Sequence, residues 1–450
     1  MSTIDPFGSV LELAASFRSG GPGPRDAIEL ALARAETCEG ALNAFTLRLP
    51  QIAREAADKA SRELAAGFDR GPFHGVPVSV KDLIDMGGQV TGYGTALALR
   101  SGPQPRNATL VDRLEAAGAV IVGKNNCLEF AYGAVNPEVG QTNNPHDPAR
   151  TAGGSSGGGA AAVAAGCVWG AVGTDTGGSI RIPSAYCGIA GFKPSSGAVP
   201  LAGVFPLSWT LDHAGPMTRS AADALALFDV LSGRSGTSAP LPVAGLRLGV
   251  IAEQARDPVI RPDVAAAFDA AVAAMRSAGA HVEDASLPEL GGFAERLVEI
   301  LLPEAALIHA DRLAAHAGAY GPQTRAQLEA GSGVSAMAYL AARDYARDLG
   351  RAYAALLERF DAFIAPSCPW VAPEEDPAVD GDEGYAEMHC SGLANLVGAP
   401  SVSIHCGLGE AGMPVGVMLN GPVGGDRRLM RLAAGLEAVL PARPRPKVPA

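Results

Sequence analysis

Between residues 151 and 188 the chain reads TAGGSSGGGAAAVAAGCVWGAVGTDTGGSIRIPSAYCG, and no other stretch restricts the fold as much. From Thr151 to Ile180 it holds ten glycines and seven alanines. A flexible linker of that composition would be polar and aperiodic. This one encloses the apolar run AAAVAAGCVWGAV, so it must pack inside a core. Two serines sit in glycine settings, Ser155 in GGSSGGG and Ser179 in TDTGGS. Glycine admits positive φ and close backbone approach. Successive N–H groups in such a turn converge into an anion-binding nest. A serine beside a nest is the minimum equipment for acyl transfer, a nucleophile next to an oxyanion hole.

The flanking chain alternates helix and strand signals. AAAVAAG reads as a small-residue helix, and VWGAVGTD as a strand leading into the TGGS turn. Upstream, VPVSVK is a short β-like run that ends on Lys81, where a charge would face a cleft. TLVDRLEAAGAVIVGKNN is a helix, a glycine stop and an apolar strand. GPMTRSAADALALFDVLSG predicts a turn and then a helix, with Thr218 or Ser220 as N-cap. The Ser/Thr/Pro-rich residues 233–245 mark a seam, followed by a βαβ unit in LRLGVIAE, DVAAAFDAAVAAMRSAGA and HVEDASLP. Residues 292–360 are helix-rich, PEEDPAVDGDEG is an acidic loop expected at a mobile cleft rim, and SVSIHC and PVGVMLNG read as paired strands. Gly407, Gly409 and Gly412 spell G-x-G-x-x-G after a strand, but Pro414 and a second strand follow instead of the helix a dinucleotide site needs.

The hydrophobic fraction of 48% supports a large core, and the net charge of −12 argues against nucleic acid or an anionic membrane as partner. Seven scattered cysteines, with no C-x-x-C, point to reduced thiols in a cytoplasmic setting. The N-terminus lacks the basic and apolar blocks of a signal peptide, and no apolar run is long enough to span a bilayer. His389-Cys390 and His405-Cys406 look metal-like, but adjacent residues of an extended segment point oppositely and no third cluster completes a site, so neither metal nor cofactor is expected.

GGSSGG and GTDTGGSIRIPSAYCG, with Ser155 and Ser179 separated by 24 positions, resemble the amidase signature family. The resemblance continues through GVPVSVKD, GFKPSSG, DHAGPMTRS, NLVGAPSVSIHCG and MPVGVMLNGP, which together span most of the 450 residues. It implies one α/β domain over residues 1–450, a mixed central sheet with helices on both faces, a catalytic core near 71–220 and a helix-rich substrate side near 292–360. It implies hydrolysis of a carbon–nitrogen amide bond, extending to esters or carbamates. Ser179 would be the nucleophile, Lys81 the base, and Ser155, on a cis peptide bond, the bridge between them. The N–H groups of Thr176, Gly177, Gly178 and Ser179 would form the oxyanion hole, with Ser156, Asp175 and Arg181 in support. A lysine can serve as base if burial removes its proton. None of the eight histidines falls in the glycine-rich core. Cys187 reads as a small buried cysteine and His213 as structural.

The expected partner is a small-molecule amide substrate, with a homodimer as the assembly considered. The rival reading with the same chemistry is the glutaminase component of a tRNA-dependent amidotransferase, which would need partner subunits. A catalytically dead scaffold on this fold is a third, opposed by the presence of Lys81, Ser155 and Ser179 together. The residues after the nucleophile and Phe205, Leu207 and Trp209 predict a largely apolar acyl pocket with few charged anchors.

Overall fold

The structure is a computed structural model, and it describes residues 4–377 and 382–448. Its strands are β1 (Phe45–Arg48), β2 (Pro77–Lys81), β3 (Val120–Asn125), β4 (Asn143–Asn144), β5 (Asp147–Thr151), β6 (Gly170–Asp175), β7 (Ala190–Lys193), β8 (His213–Thr218), β9 (Arg247–Ile251), β10 (His281–Ala285), β11 (Ala362–Pro366), β12 (Ser401–Leu408) and β13 (Pro414–Asn420). Eleven of them form one sheet in the order β1-β3-β2-β6-β8-β7-β12-β13-β11-β9-β10, while β4 and β5 make a separate hairpin. The sheet is mixed. β3, β2 and β6 run parallel, as do β11, β9 and β10, and the strands between are antiparallel.

Both faces of the sheet are covered, and the strands show it residue by residue. Successive side chains of a strand point to opposite faces. In β11, Ala362 and Ile364 join one apolar cluster, and Phe363 between them joins the other. In β9, Leu248 and Val250 face the first cluster and Ile251 the second. The first cluster takes in the helices Pro24–Leu42, Gly157–Ala164, Ala221–Ser232, Pro262–Ser277 and Asp426–Glu437. The second takes in Phe293–His316, Pro322–Gly331 and Ala336–Leu357, the helix-rich region expected from the sequence.

Strands on both sides of residues 233–245 enter the same sheet. The βαβ unit is parallel as expected, with His281 beside Arg247 and Ala285 beside Ile251. β12 and β13 pair antiparallel around Gly409 and Gly412, so the glycine triplet closes a hairpin. One expectation fails. GPMT, read as a turn, is the second half of β8, paired with both β6 and β7. Gly215 and Pro216 mimic turn chemistry, but both are paired with β6, opposite Gly173 and Val172, which holds them extended. The helix after it takes Ser220 as N-cap, whose side chain accepts from the Asp223 N–H. Residues 378–381 of the acidic loop lie outside the described residues.

Candidate active site

The site is built where two parallel strands end beside a helix start. β2 pairs with β6, Val80 lying opposite Val172, so Lys81 at the end of β2 meets Thr174 near the end of β6. The helix Gly157–Ala164 begins just after Ser156 and is buried along its whole length. Only small residues permit that approach: a Cβ on Gly173 would come within 2.8 Å of Ser156 Oγ. The glycine-rich composition therefore serves to bring the strand, the helix start and the lysine into contact.

Lys81 is 1% exposed. Its Nζ lies 2.7 Å from Ser155 Oγ, 2.9 Å from Thr174 Oγ1 and 3.0 Å from Ser156 Oγ. Among the described residues, no carboxylate touches it. Burial lowers its pKa to about 8, against weaker opposing pulls from Cys127, Asp175 and Asp212. The hydroxyl protons show which of the three contacts can reverse. Ser156 Oγ donates to the Thr174 carbonyl at 3.1 Å, so towards Lys81 it can only accept. Ser155 Oγ and Thr174 Oγ1 have no other hydrogen-bond partner among the described contacts, so either proton is free to point at a neutral amine, and of the two only Ser155 lines the cleft. The Gly154–Ser155 peptide bond is cis.

Ser179 lies on the turn after β6, with its carbonyl accepting the Ser156 N–H at 3.1 Å. It is partly exposed, where Ser155 and Ser156 are buried. Ser155, Thr176, Gly177, Gly178 and Ser179 all line one cleft, partly open to solvent. The backbone of the Thr176-Gly-Gly-Ser turn faces the cleft, with Gly178 at φ 146°. A Cβ at Gly178 would collide with Ser391 and Ile182.

Two anchors fix this turn from below and from the side. Asp175 and Arg181 form a fully buried pair, Nη2 to Oδ1 at 2.8 Å and Nε to Oδ2 at 3.0 Å. Asp175 Oδ2 also accepts the Ile180 N–H at 3.1 Å, which pins the residue after Ser179. Burial pushes the Asp175 carboxyl up, but Arg181, Lys193 and Asn395 outweigh it and hold it below the usual carboxylate range. Arg181 spends its remaining donors on the Ser391 carbonyl, Ser401 Oγ and Asn395 Oδ1. At the side, Asp212 accepts from Thr176 Oγ1 at 2.7 Å and from the N–H groups of Leu207 and Ser208 at 2.8 and 3.0 Å. Burial raises the Asp212 carboxyl to about 6.

All nine residues singled out in the sequence therefore fall in one neighbourhood. Lys81, Ser155 and Ser156 touch directly, Thr176 to Ser179 line the cleft, and Asp175 and Arg181 lie beneath the turn. Cys187 is buried against the Ala152 carbonyl and its thiol is pushed up by burial. His213 packs against the Leu211 carbonyl, and burial lowers its pKa to about 3. Sequence reading missed Thr174 and Asp212. Asp212 stands beside His213 in LDHAGP, where the histidine is the more conspicuous residue. It also missed Tyr132, Asp376 and Glu387, which line the cleft together with apolar side chains. The pocket expected to be largely apolar thus carries two carboxyl groups, and no Lys, Arg or His is among its described lining residues. Among the described residues, no helix is long and apolar enough to cross a membrane.

Known proteins match along this whole frame. Residues 26–430 match the Amidase family. An amidase of Pseudomonas putida is 36% identical over 415 residues, covering 86% of each chain. A glutamyl-tRNA(Gln) amidotransferase subunit of Chloroflexus aurantiacus is 34% identical over 445 residues, covering 90% of this chain and 91% of its own. A crystal structure of an amidase superposes with a TM-score of 0.89 at 35% identity, covering 96% of this chain and all of the other. By sequence and by structure, as the signature resemblance implied, the chain belongs to the amidase family of amide-hydrolysing enzymes.

Proposed function

We propose that the chain, as a single domain, hydrolyses a small-molecule amide through an acyl-enzyme on Ser179, with Ser155 and Lys81 as the proton relay. One observation carries the reading: a buried lysine, with no carboxylate partner among the described residues, lies 2.7 Å from Ser155 Oγ, directly behind a cleft that Ser179 lines. Ser179 Oγ attacks the amide carbon while its proton passes through Ser155 to the neutral Lys81 amine. The carbonyl oxygen becomes an oxyanion held by N–H groups of the Thr176–Ser179 turn, the kind of preorganised donor set that stabilises such a charge. The C–N bond then breaks, and the nitrogen leaves with the proton returned through Ser155. Water repeats the relay and releases the acid, regenerating Ser179. Ser156 and Thr174 keep the amine in place.

The reading as a glutaminase component draws support from the Chloroflexus relative. Glutamine, however, brings an α-carboxylate, and the described lining of the cleft offers it no cation. A stand-alone amidase fits that lining better. The purified chain should release ammonia from primary amides by itself, and a fluorophosphonate probe should label Ser179 alone. Glutamine turnover exceeding that of all simple amides would favour the glutaminase reading. Probe labelling elsewhere would end the proposed mechanism.

A further inference from the structure

We propose that Glu304 is a positioning residue for the reaction: it holds the loop of residues 207–212 so that Asp212, which that loop carries, keeps the Thr176–Ser179 turn in place. This rests on the amidase reading above and adds to it a residue that is not part of the cleft lining.

Glu304 lies on the helix Phe293–His316 and is 1% exposed. Four donors meet its carboxyl group. Oε2 accepts from Ser208 Oγ at 2.6 Å and from the Thr210 N–H at 3.1 Å, and Oε1 accepts from Thr210 Oγ1 at 2.5 Å and from the Tyr339 hydroxyl at 2.8 Å. That fills the acceptor capacity of a carboxylate, about four hydrogen bonds. The neighbours fix the direction of each hydroxyl proton. Arg343 Nη1 can only donate, and it does so to Thr210 Oγ1 at 3.0 Å and to the Tyr339 hydroxyl at 2.9 Å. Ser208 Oγ accepts the Leu211 N–H at 3.3 Å. All three hydroxyls therefore turn their protons to Glu304. A glutamine in its place would meet some of these donors with donors of its own.

Ser208 is where the hold passes on. Its hydroxyl donates to Glu304, its N–H donates to Asp212 Oδ2 at 3.0 Å, and its carbonyl accepts the Asp212 N–H at 2.9 Å. Asp212 Oδ2 also accepts the Leu207 N–H at 2.8 Å, and Asp212 Oδ1 accepts from Thr176 Oγ1 at 2.7 Å. An unbroken series of hydrogen bonds thus joins Glu304 to the turn through Ser208, Asp212 and Thr176. Glu304, Ser208 and Thr176 are all buried, so water is poorly placed to replace a lost link. The same helix also reaches the cleft: Leu301 lines it, three residues before Glu304 and on the same side of the helix. The anchor need move little to matter, since misplacing reacting groups by about 1 Å costs on the order of 10²-fold in rate.

The test is kcat and KM for ammonia release from a primary amide, expressed per serine titrated by a fluorophosphonate, so that misfolded protein does not count. Glu304→Gln should lower kcat by about tenfold and change KM by less than about twofold, because the turn is engaged most as the carbonyl oxygen gains charge. In the Asp212→Asn background the same substitution should cost less than about twofold more, since the link it acts through is already loosened. A residue that served stability alone would lower the melting temperature and leave kcat per titrated serine unchanged. One acting by another route would multiply its loss with that of Asp212→Asn. Either result overturns the proposal. Should Glu304→Gln not fold, Ser208→Ala removes one of the four donors, keeps the backbone bonds to Asp212 and carries the same comparison with a smaller loss. Hydrogen exchange gives a readout without turnover. The Leu207 and Ser208 amides donate to Asp212 and not to Glu304, and in Glu304→Gln they should exchange about tenfold faster. Unchanged exchange there overturns the proposal. If no amide is hydrolysed by the wild type but this exchange still rises, the hold of Glu304 on Asp212 stands and the catalytic reading falls. If amides are hydrolysed while kcat per serine and exchange are both unchanged in Glu304→Gln, the reverse holds.

Discussion

The sharpest consequence of the proposed relay is that activity should follow the proton on Lys81. An unperturbed lysine, at 10.5, would be neutral in about one molecule in three thousand at pH 7, far too few to act as base. With the pKa lowered to about 8 by burial, about one in eleven is neutral. The relay therefore gains roughly three-hundredfold in competent enzyme from burial alone. kcat/KM should rise about tenfold per pH unit below pH 7 and level off above about 9, with a midpoint near 8. The assay is ammonia release from a neutral primary amide at low substrate. Lys81→Arg should be dead at every pH, because guanidinium keeps its proton. Lys81→Ala should lose about 10²–10⁴-fold on the amide and less on the matching ester, whose leaving group needs less protonation. A second readout does not depend on turnover. The folded pKa lies below the unfolded one, so between pH 8 and 10.5 the unfolded chain binds more protons and stability rises with pH. Lys81 thus destabilises the fold most below pH 8, and wild type should gain on Lys81→Met across that window by up to about 3 kcal/mol. A flat rate profile from pH 6 to 9, an active Lys81→Arg, or parallel stability curves would refute the reasoning.

Three further outcomes follow from other contacts. Ser179→Ala should abolish turnover and leave the melting temperature nearly unchanged, since it removes one partly exposed oxygen; near-native activity would move the nucleophile elsewhere, with Cys187 next to test. Asp212→Asn should lower kcat by about tenfold or more with little change in KM, because it loosens Thr176 in the turn proposed to meet the oxyanion. It should also move the lysine midpoint to lower pH, since Asp212 holds the Lys81 proton on; a midpoint that stays or rises contradicts the assignment. Arg181→Met should cost about 3–5 kcal/mol in denaturant unfolding, because it strands the buried Asp175 carboxylate, and a loss under about 1 kcal/mol would show that the pair is dispensable.

What could be read from the sequence was what depends on neighbours along the chain. Ser155, Ser179 and the glycines around them announce a packed turn by local composition, and Lys81 announces itself by ending an apolar strand. The element that defeated local reading was β8, because Gly215 and Pro216 are turn residues whose extended state is imposed by pairing with β6. The cleft lining was illegible for the same reason. Tyr132, Glu387 and Asp376 come from separate segments, and nothing near them in sequence says that they share a wall with Ser179. Asp212 is an intermediate case: it lies in a motif, but its role appears only through Thr176, which is 36 residues away.

The two anchors of the Thr176–Ser179 turn differ in kind. Asp175 is held by Arg181 on two oxygens and by Asn395 Nδ2 at 2.9 Å, all buried, so it stays ionised and fixes the Ile180 N–H at any working pH. Asp212 has no cation in contact among the described residues, only one hydroxyl and two N–H groups, and burial leaves it close to the pH at which it would take up a proton. Both charges reach Lys81 and oppose the effect of its burial, Asp175 more strongly than Asp212 in spite of its ion pair. The turn is thus held by one carboxylate whose ionisation is locked and by a second that can lose its charge, so of the two pulls on the lysine only the one from Asp212 varies near pH 6.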